Sequence, residues 1–131
     1  MFDRFSAYQP QLLSLLRIVA GLLFLCHGTA KVLGFPVVDG VPPVGMSLAG
    51  LSGPFELALG LLLTLGLFTR PAAFVAAGFC AVGYWTVHGM QAVFPILNGG
   101  ELIALYCFVF LYLTAAGPGP WSVDAAMGRK S

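Results

Sequence analysis

Four long apolar runs, separated by short connections, constrain this chain more than any other feature. They cover about residues 11–34, 54–68, 71–88 and 99–116. Crossing the hydrocarbon core of a bilayer takes roughly 20 mostly apolar residues, with a working range of about 17–25. The second run is short by that measure, so it either tilts or begins earlier, near Met46. Charge decides whether such runs belong in a membrane or in a soluble core. Only 8% of the residues are charged and 59% are apolar, against about 25% charged in ordinary soluble domains. So few charges cannot clothe a soluble domain of 131 residues. The chain reads as one integral membrane domain. In lipid every backbone group must be bonded within its own segment, so the spans are helices. Barrel strands would alternate apolar and polar residues, and these runs do not. The expected fold is all-α, a membrane four-helix bundle over residues 1–131 with a tail over 117–131.

The connections refine this. The first run is not a cleaved signal, because it is long, contains Arg17 and lacks a small-residue cleavage site. The first loop, FPVVDGVPPVGMSLAGLSG, is proline-rich yet apolar, and its second half suits a segment lying on or dipping into the membrane. The next connection is the tight turn TRP around Arg70, with Pro71 in the first turn of the following helix. The tail leaves the fourth helix at Gly117-Pro118 and has the pattern of a short surface helix. Four spans place both termini on one side. Arg4, Arg70, Arg129 and Lys130 fall there, with Arg17 near the same end, whereas the other side has only Lys31. The positive-inside rule puts both termini in the cytoplasm.

This topology sorts the ionisable residues by depth. His27, Lys31, Glu56, His88 and Glu101 all converge on the extracytoplasmic half. A charge at the centre of a span costs about 2.5–3.5 kcal/mol on insertion scales, so such groups face the bundle interior and pair. His27 and Lys31 are spaced i, i+4 and share a face. Each residue also has a plainer role. Glu101 follows Asn98 at capping-box spacing. Glu56 follows Gly53-Pro54 and suits a helix N-terminus. Lys31 can snorkel, and His88 can sit at the interface. Taken together they point to a shared polar pocket, with Lys31 paired to Glu56 or Glu101 and the histidines bonding a ligand. Towards the cytoplasmic side, Asp124 is expected to ion-pair with Arg17 or Arg70 and pin the tail, with Trp121 in the interfacial aromatic belt. Gly60, Ala73, Ala77 and Ala81 permit close helix packing. Cys26, Cys80 and Cys107 are odd in number, form no CxxC and read as packing residues, neither a disulfide frame nor a metal site. A net charge of +1 with no basic patch gives no footprint for nucleic acid.

Several pieces of the sequence resemble the DoxX family of small four-helix membrane proteins. They are LLRIVAGLLFLCHGTAKVLGF, FELALGLLLTLGLFTRPAAF, NGGELIALY and GPGPWSVD, in that order along nearly the whole chain. The likeness carries Arg17, His27, Lys31, Glu56, Arg70, Glu101 and Asp124, and less securely His88. The family is similar to the quinone-reducing membrane subunit of thiosulfate:quinone oxidoreductase, and members are linked to quinone detoxification and oxidative-stress complexes. The resemblance implies a quinone-linked redox role, with His27, Lys31, Glu56 and Glu101 as catalytic groups, His88 as a ligand contact and quinone as the bound carrier. No dinucleotide fingerprint is present, so electrons would come from another membrane or redox subunit. Two other roles compete with this one: an accessory or assembly subunit, in further copies of itself or with partners, and a haem or metal protein with His27 and His88 as ligands.

Overall fold

A computed structural model describes residues 1–40 and 48–129, and no strand occurs among them. A 3-10 turn, Phe2–Tyr8, runs directly into α1, Gln9–Leu33. The other long helices are α2, Leu48–Leu65; α3, Thr69–Gly83, continued by a π turn over Tyr84–His88; and α5, Glu101–Ala116. Two single turns complete the chain: α4, Pro95–Asn98, and α6, Val123–Ala126.

The helix bounds differ from the apolar runs for physical reasons. α2 begins at least as early as Leu48, with Pro54 inside it. A proline near the start of an apolar run therefore does not mark the start of this helix. Residues 41–47 of the first loop lie outside the described residues, and its last part, from Leu48, is helix continuous with the rest of α2. The third run is finished by a π turn, and α4 adds a turn before α5. One helix, Phe2–Leu33, is long and apolar enough to cross a membrane; the apolar helices Gly50–Leu65 and Glu101–Ala116 are shorter.

Apolar side chains such as Leu12, Val19, Leu23, Phe74, Leu105 and Phe108 are exposed, while Ser14, Arg17, Thr69 and Asp124 are fully buried. This distribution reverses that of a soluble domain and suits a surrounding of lipid. α1 packs along α2, and α3 along α5. In the first pair, Gly21 and Gly28 of α1 lie against Leu63–Thr64 and Glu56–Leu57 of α2, and Gly53 and Gly60 of α2 lie against Lys31–Val32 and Leu25 of α1. A Cβ on Gly60 would lie 2.6 Å from the Leu25 backbone, and one on Gly21 2.7 Å from the Thr64 amide nitrogen. The helices approach this closely because no side chain separates them. In the second pair the buried face of α3 is made by Ala72, Ala73, Ala76, Ala77 and Cys80.

The two pairs are tied together at the end carrying both termini. α2 stops at Gly66, whose φ of 70° suits glycine and lets the amides of Gly66 and Leu67 return to the Leu63 and Leu62 carbonyls. Arg17 then donates to the Leu63 and Thr64 carbonyls at 2.9 and 2.7 Å, and to Pro118 O and Trp121 O in the tail. Arg70 donates to the Thr114 and Ala115 carbonyls at the end of α5. Asp124 accepts from the amides of Phe68 and Thr69 at 3.0 and 2.9 Å and from the Thr69 hydroxyl, capping α3. No direct hydrogen bond of Asp124 with Arg17 or Arg70 is seen among the described residues, although the Asp124 charge acts on Arg17 across the clasp. Each charge instead meets the helix end of opposite partial charge: cations at the C-termini of α2 and α5, the anion at the N-terminus of α3. The tail helix is a single turn with Ala125 and Ala126 exposed, as expected of a surface helix, and the buried Asp124 anchors it to the bundle.

Candidate ligand-binding site

At the opposite end the two pairs separate and leave a cleft. Lys31, from the last turns of α1, reaches across to α2. Its Nζ donates to Ser52 Oγ at 2.7 Å and Glu56 Oε1 at 2.9 Å, and lies 2.8 Å from Glu56 Oε2. Oε1 accepts a directional bond, whereas Oε2 is held by charge alone, outside hydrogen-bonding geometry. The Lys31 and Glu56 side chains are only 13% and 10% exposed, so this pair is not a solvated surface pair. Because α2 starts before Pro54, Glu56 does not serve a helix N-terminus, and Lys31 does not snorkel.

The cleft has two arms that meet at this pair. One, of about 320 Å³, opens between α2 and α3, past Leu51, Phe55, Val82 and Val87. These four side chains are themselves exposed, so this mouth is apolar and faces sideways. The other, of about 240 Å³, lies between α1 and α5 and is lined by Phe24, His27, Leu102 and Tyr106. Lys31, Glu56, Phe79, His88 and Ile103 border both.

His88 arrives through the π turn, a form of helix often found at functional sites. Gly89 N returns to Tyr84 O at 2.7 Å, and Thr86, Val87 and His88 in succession line the cleft. His88 Nδ1 is 2.9 Å from Asn98 O. A carbonyl only accepts, so Nδ1 carries the proton and Nε2 is the nitrogen open to a ligand. His27 is more exposed and meets the Tyr106 ring edge-on at 6.2 Å.

The structure thus gathers His27, Lys31, Glu56 and His88, and leaves Glu101 out. Glu101 is exposed and borders neither arm. At about 100° per residue it points roughly opposite to Ile103 and Tyr106, the residues of α5 that face the cleft. The capping box is absent too: Asn98 Oδ1 accepts from Gly100 N at 2.8 Å, and its Nδ2 donates to Tyr84 Oη and Ala92 O. Asn98 thereby fastens the turn that carries His88. Sequence reasoning missed Asn98 in this role, and also Ser52, Phe79 and Tyr106. Tyr106 shares the face of α5 that carries Ile103 and Phe110, but the nearly uniform apolar run of that helix gave no signal of which face turns inward. Among the described residues no three His, Cys, Asp or Glu side chains are grouped as a metal site. With His88 Nδ1 turned to a carbonyl and an ammonium beside the carboxylate, this donor set suits a neutral organic ligand better than a cation.

The chain is similar to known proteins along nearly its whole length. An uncharacterized protein of Haemophilus influenzae is 41% identical over 133 aligned residues, covering 98% of this chain and 99% of its own. The inner membrane protein YphA of Escherichia coli is 34% identical over 138 aligned residues, covering 94% of each chain. No solved structure matches. The DoxX family model matches residues 12–89, from the first turns of α1 through the π turn, and so takes in Arg17, His27, Lys31, Glu56 and His88. On the strength of that match and of the two full-length relatives, the chain belongs to the DoxX family and is a protein of the bacterial inner membrane.

Proposed function

We propose that the chain crosses the membrane as a four-helix bundle with both termini in the cytoplasm, and that the cleft at its periplasmic end takes the head group of a membrane quinone. Sidedness rests on Arg17 and Arg70, fixed at the clasped end, with Arg4, Arg129 and Lys130 near the termini. At about 1.5 Å per residue, the 18 residues of α2 and 16 of α5 reach about 27 and 24 Å. That is a little under the roughly 30 Å hydrocarbon core, a mismatch met by local thinning and, for α5, by the added turn of α4.

The observation that carries the quinone reading is the nearly buried Lys31–Glu56 pair, set in the wall of an apolar cleft whose mouth opens sideways. A ligand arriving through lipid meets fixed charge there, in a surrounding where charge is felt strongly. A quinone head group is a flat ring with acceptor oxygens and an apolar tail. Lys31 and the histidines offer donors, Phe55 and Phe79 offer ring faces, and the mouth between α2 and α3 offers the tail an exit. When bound, a quinone supplies the two-electron carrier. Glu56 can hold and pass a proton, and the electrons come from a partner redox subunit or a soluble reductant. An accessory role has one observation in its favour: Lys31 and Glu56 satisfy each other without a ligand, as a latch between α1 and α2 would.

The experiment is quinone binding by the purified protein in nanodiscs, with ubiquinone-1 as probe and quenching of tryptophan fluorescence as readout. Trp85 packs edge-on against Tyr84 at 5.3 Å, close in sequence to His88, and is a native reporter. His88→Ala and Glu56→Gln are expected to weaken binding tenfold or more in protein that remains monodisperse. Unchanged binding in both would refute the site.

A further inference from the structure

The arm between α1 and α5 contains a polar group that the fold orients and then leaves unused. Tyr106 is only 6% exposed, and its hydroxyl has no hydrogen-bond partner among the described residues. Its ring cannot swing away to find one. It stacks flat on Phe110, with centroids 5.5 Å apart and planes 3° apart, and meets Phe24 at 5.5 Å and His27 at 6.2 Å edge-on. Helical side chains lean towards the helix N-terminus. For α5 that end is the cleft, while Phe110 lies one turn deeper, so the hydroxyl points towards the cleft. Buried hydroxyls without a partner are costly and rare in folded proteins. A fixed, unspent donor bordering a space of about 240 Å³, walled by Phe24 and Phe79, has the form of half a binding interaction.

We propose that the Tyr106 hydroxyl donates a hydrogen bond to an acceptor oxygen on a planar, single-ring ligand held in the arm between α1 and α5. The inference rests on the cleft being the ligand site proposed above, and narrows it to one arm, one donor and one functional group. The ring lies among Phe24, Phe79 and Tyr106, and its oxygen takes the donor that the protein itself leaves unpaired. The Lys31–Glu56 pair and His88 border the same space from the far side, and the apolar remainder of the ligand leaves through the arm between α2 and α3.

Tyr106→Phe tests this, because it removes the hydroxyl and keeps the ring and its stacking. Full-length wild type and variant in nanodiscs are titrated with ubiquinone-1 and with 2,6-dimethyl-4-pyranone, a planar single-ring ketone that does not carry electrons, and melted with and without each. The expected variant melts, without ligand, at or above the wild-type temperature, since a buried unpaired group has gone. It binds the probes at least tenfold more weakly and loses most of the ligand-induced rise in melting temperature. Wild-type affinity in the variant overturns the inference, and so does a lower ligand-free melting temperature, which would show the hydroxyl already bonded in a structural role. Tyr106-dependent binding of the pyranone without binding of ubiquinone-1 would refute the quinone reading and leave the Tyr106 assignment standing. Tyr106-independent binding of ubiquinone-1 does the reverse, and a wild type that binds neither probe overturns both.

Discussion

Lys31 and Glu56 show how much burial changes the worth of a single pair. On a solvated surface such a pair contributes about 0–1 kcal/mol. Here both side chains are nearly buried, and removing one leaves the other as an uncompensated charge. Lys31→Met is therefore expected to destabilise the protein by roughly 3–5 kcal/mol. The double variant Lys31→Met/Glu56→Leu should regain most of that loss, because a buried pair replaced by apolar groups of similar size is close to neutral. Unfolding of the two variants in mild detergent measures both values, and a loss under about 1 kcal/mol for the single variant would show the pair to be solvated. The double variant also separates the two functional readings. A latch is restored along with stability, whereas a quinone site stays lost. That Lys31 would find a carboxylate was legible from depth and sign in the sequence. That it chose Glu56 over Glu101 was not, because the choice depends on the facing of α5, which its nearly uniform apolar run does not reveal.

Among the helices, the α1–α2 contact depends on glycine more than on any large side chain. Gly28→Ala would drive a Cβ into the backbone of Leu57, and Gly60→Ala into that of Leu25. Neither neighbour can step aside, because both are main chain. A loss of about 2 kcal/mol or more is expected at either position, towards or beyond the upper end of the usual cost of overpacking. Gly78→Ala is the control: it is exposed in the middle of α3, with nothing within 4 Å of the added carbon. Relief of helical glycine entropy should leave it neutral or stabilised by about 0.5–1 kcal/mol. Thermal unfolding of the three variants side by side checks the contrast, and equal effects would show that the helices are not in close contact. Gly60 was recognisable in the sequence as a small residue suited to packing. Its partners on α1 were not, since pairing them requires the register between two helices.

For the molecule as a whole, the design is a bundle clasped at one end and split at the other. Arg17 and Asp124 draw a tail more than fifty residues away in sequence onto α2 and α3. Arg17→Ala would take the guanidinium donors from the Thr64 carbonyl at the end of α2 and from the Pro118 and Trp121 carbonyls of the tail, at about 1–3 kcal/mol each where they stay dry. The expected total is about 3 kcal/mol or more, with the tail released to proteolysis. Arg17→Lys should recover only part of it, because a compact ammonium cannot span carbonyls from two segments as a guanidinium fork does. Limited proteolysis and detergent melts read both effects, and full rescue by lysine would mean that charge alone matters. The proposed ligand cleft lies at the unclasped end, where the pairs part without breaking any of these ties.

What the sequence determined by itself was the class of the protein, the number of apolar runs and the end of the molecule at which each ionisable residue lies. Those follow from composition and order alone: few charges require lipid, and each turn of the chain reverses its direction. The tertiary structure decided which groups meet. Charges read as an ion pair turned instead to helix ends, because helix termini carry partial charge that becomes available only once the helices are packed together. Glu101 turned outward while Tyr106, unnoticed in an aromatic run, turned in. Within a helix of nearly uniform hydrophobicity, rotation about the axis leaves no pattern in the sequence, and only the neighbours it packs against fix which side faces the cleft.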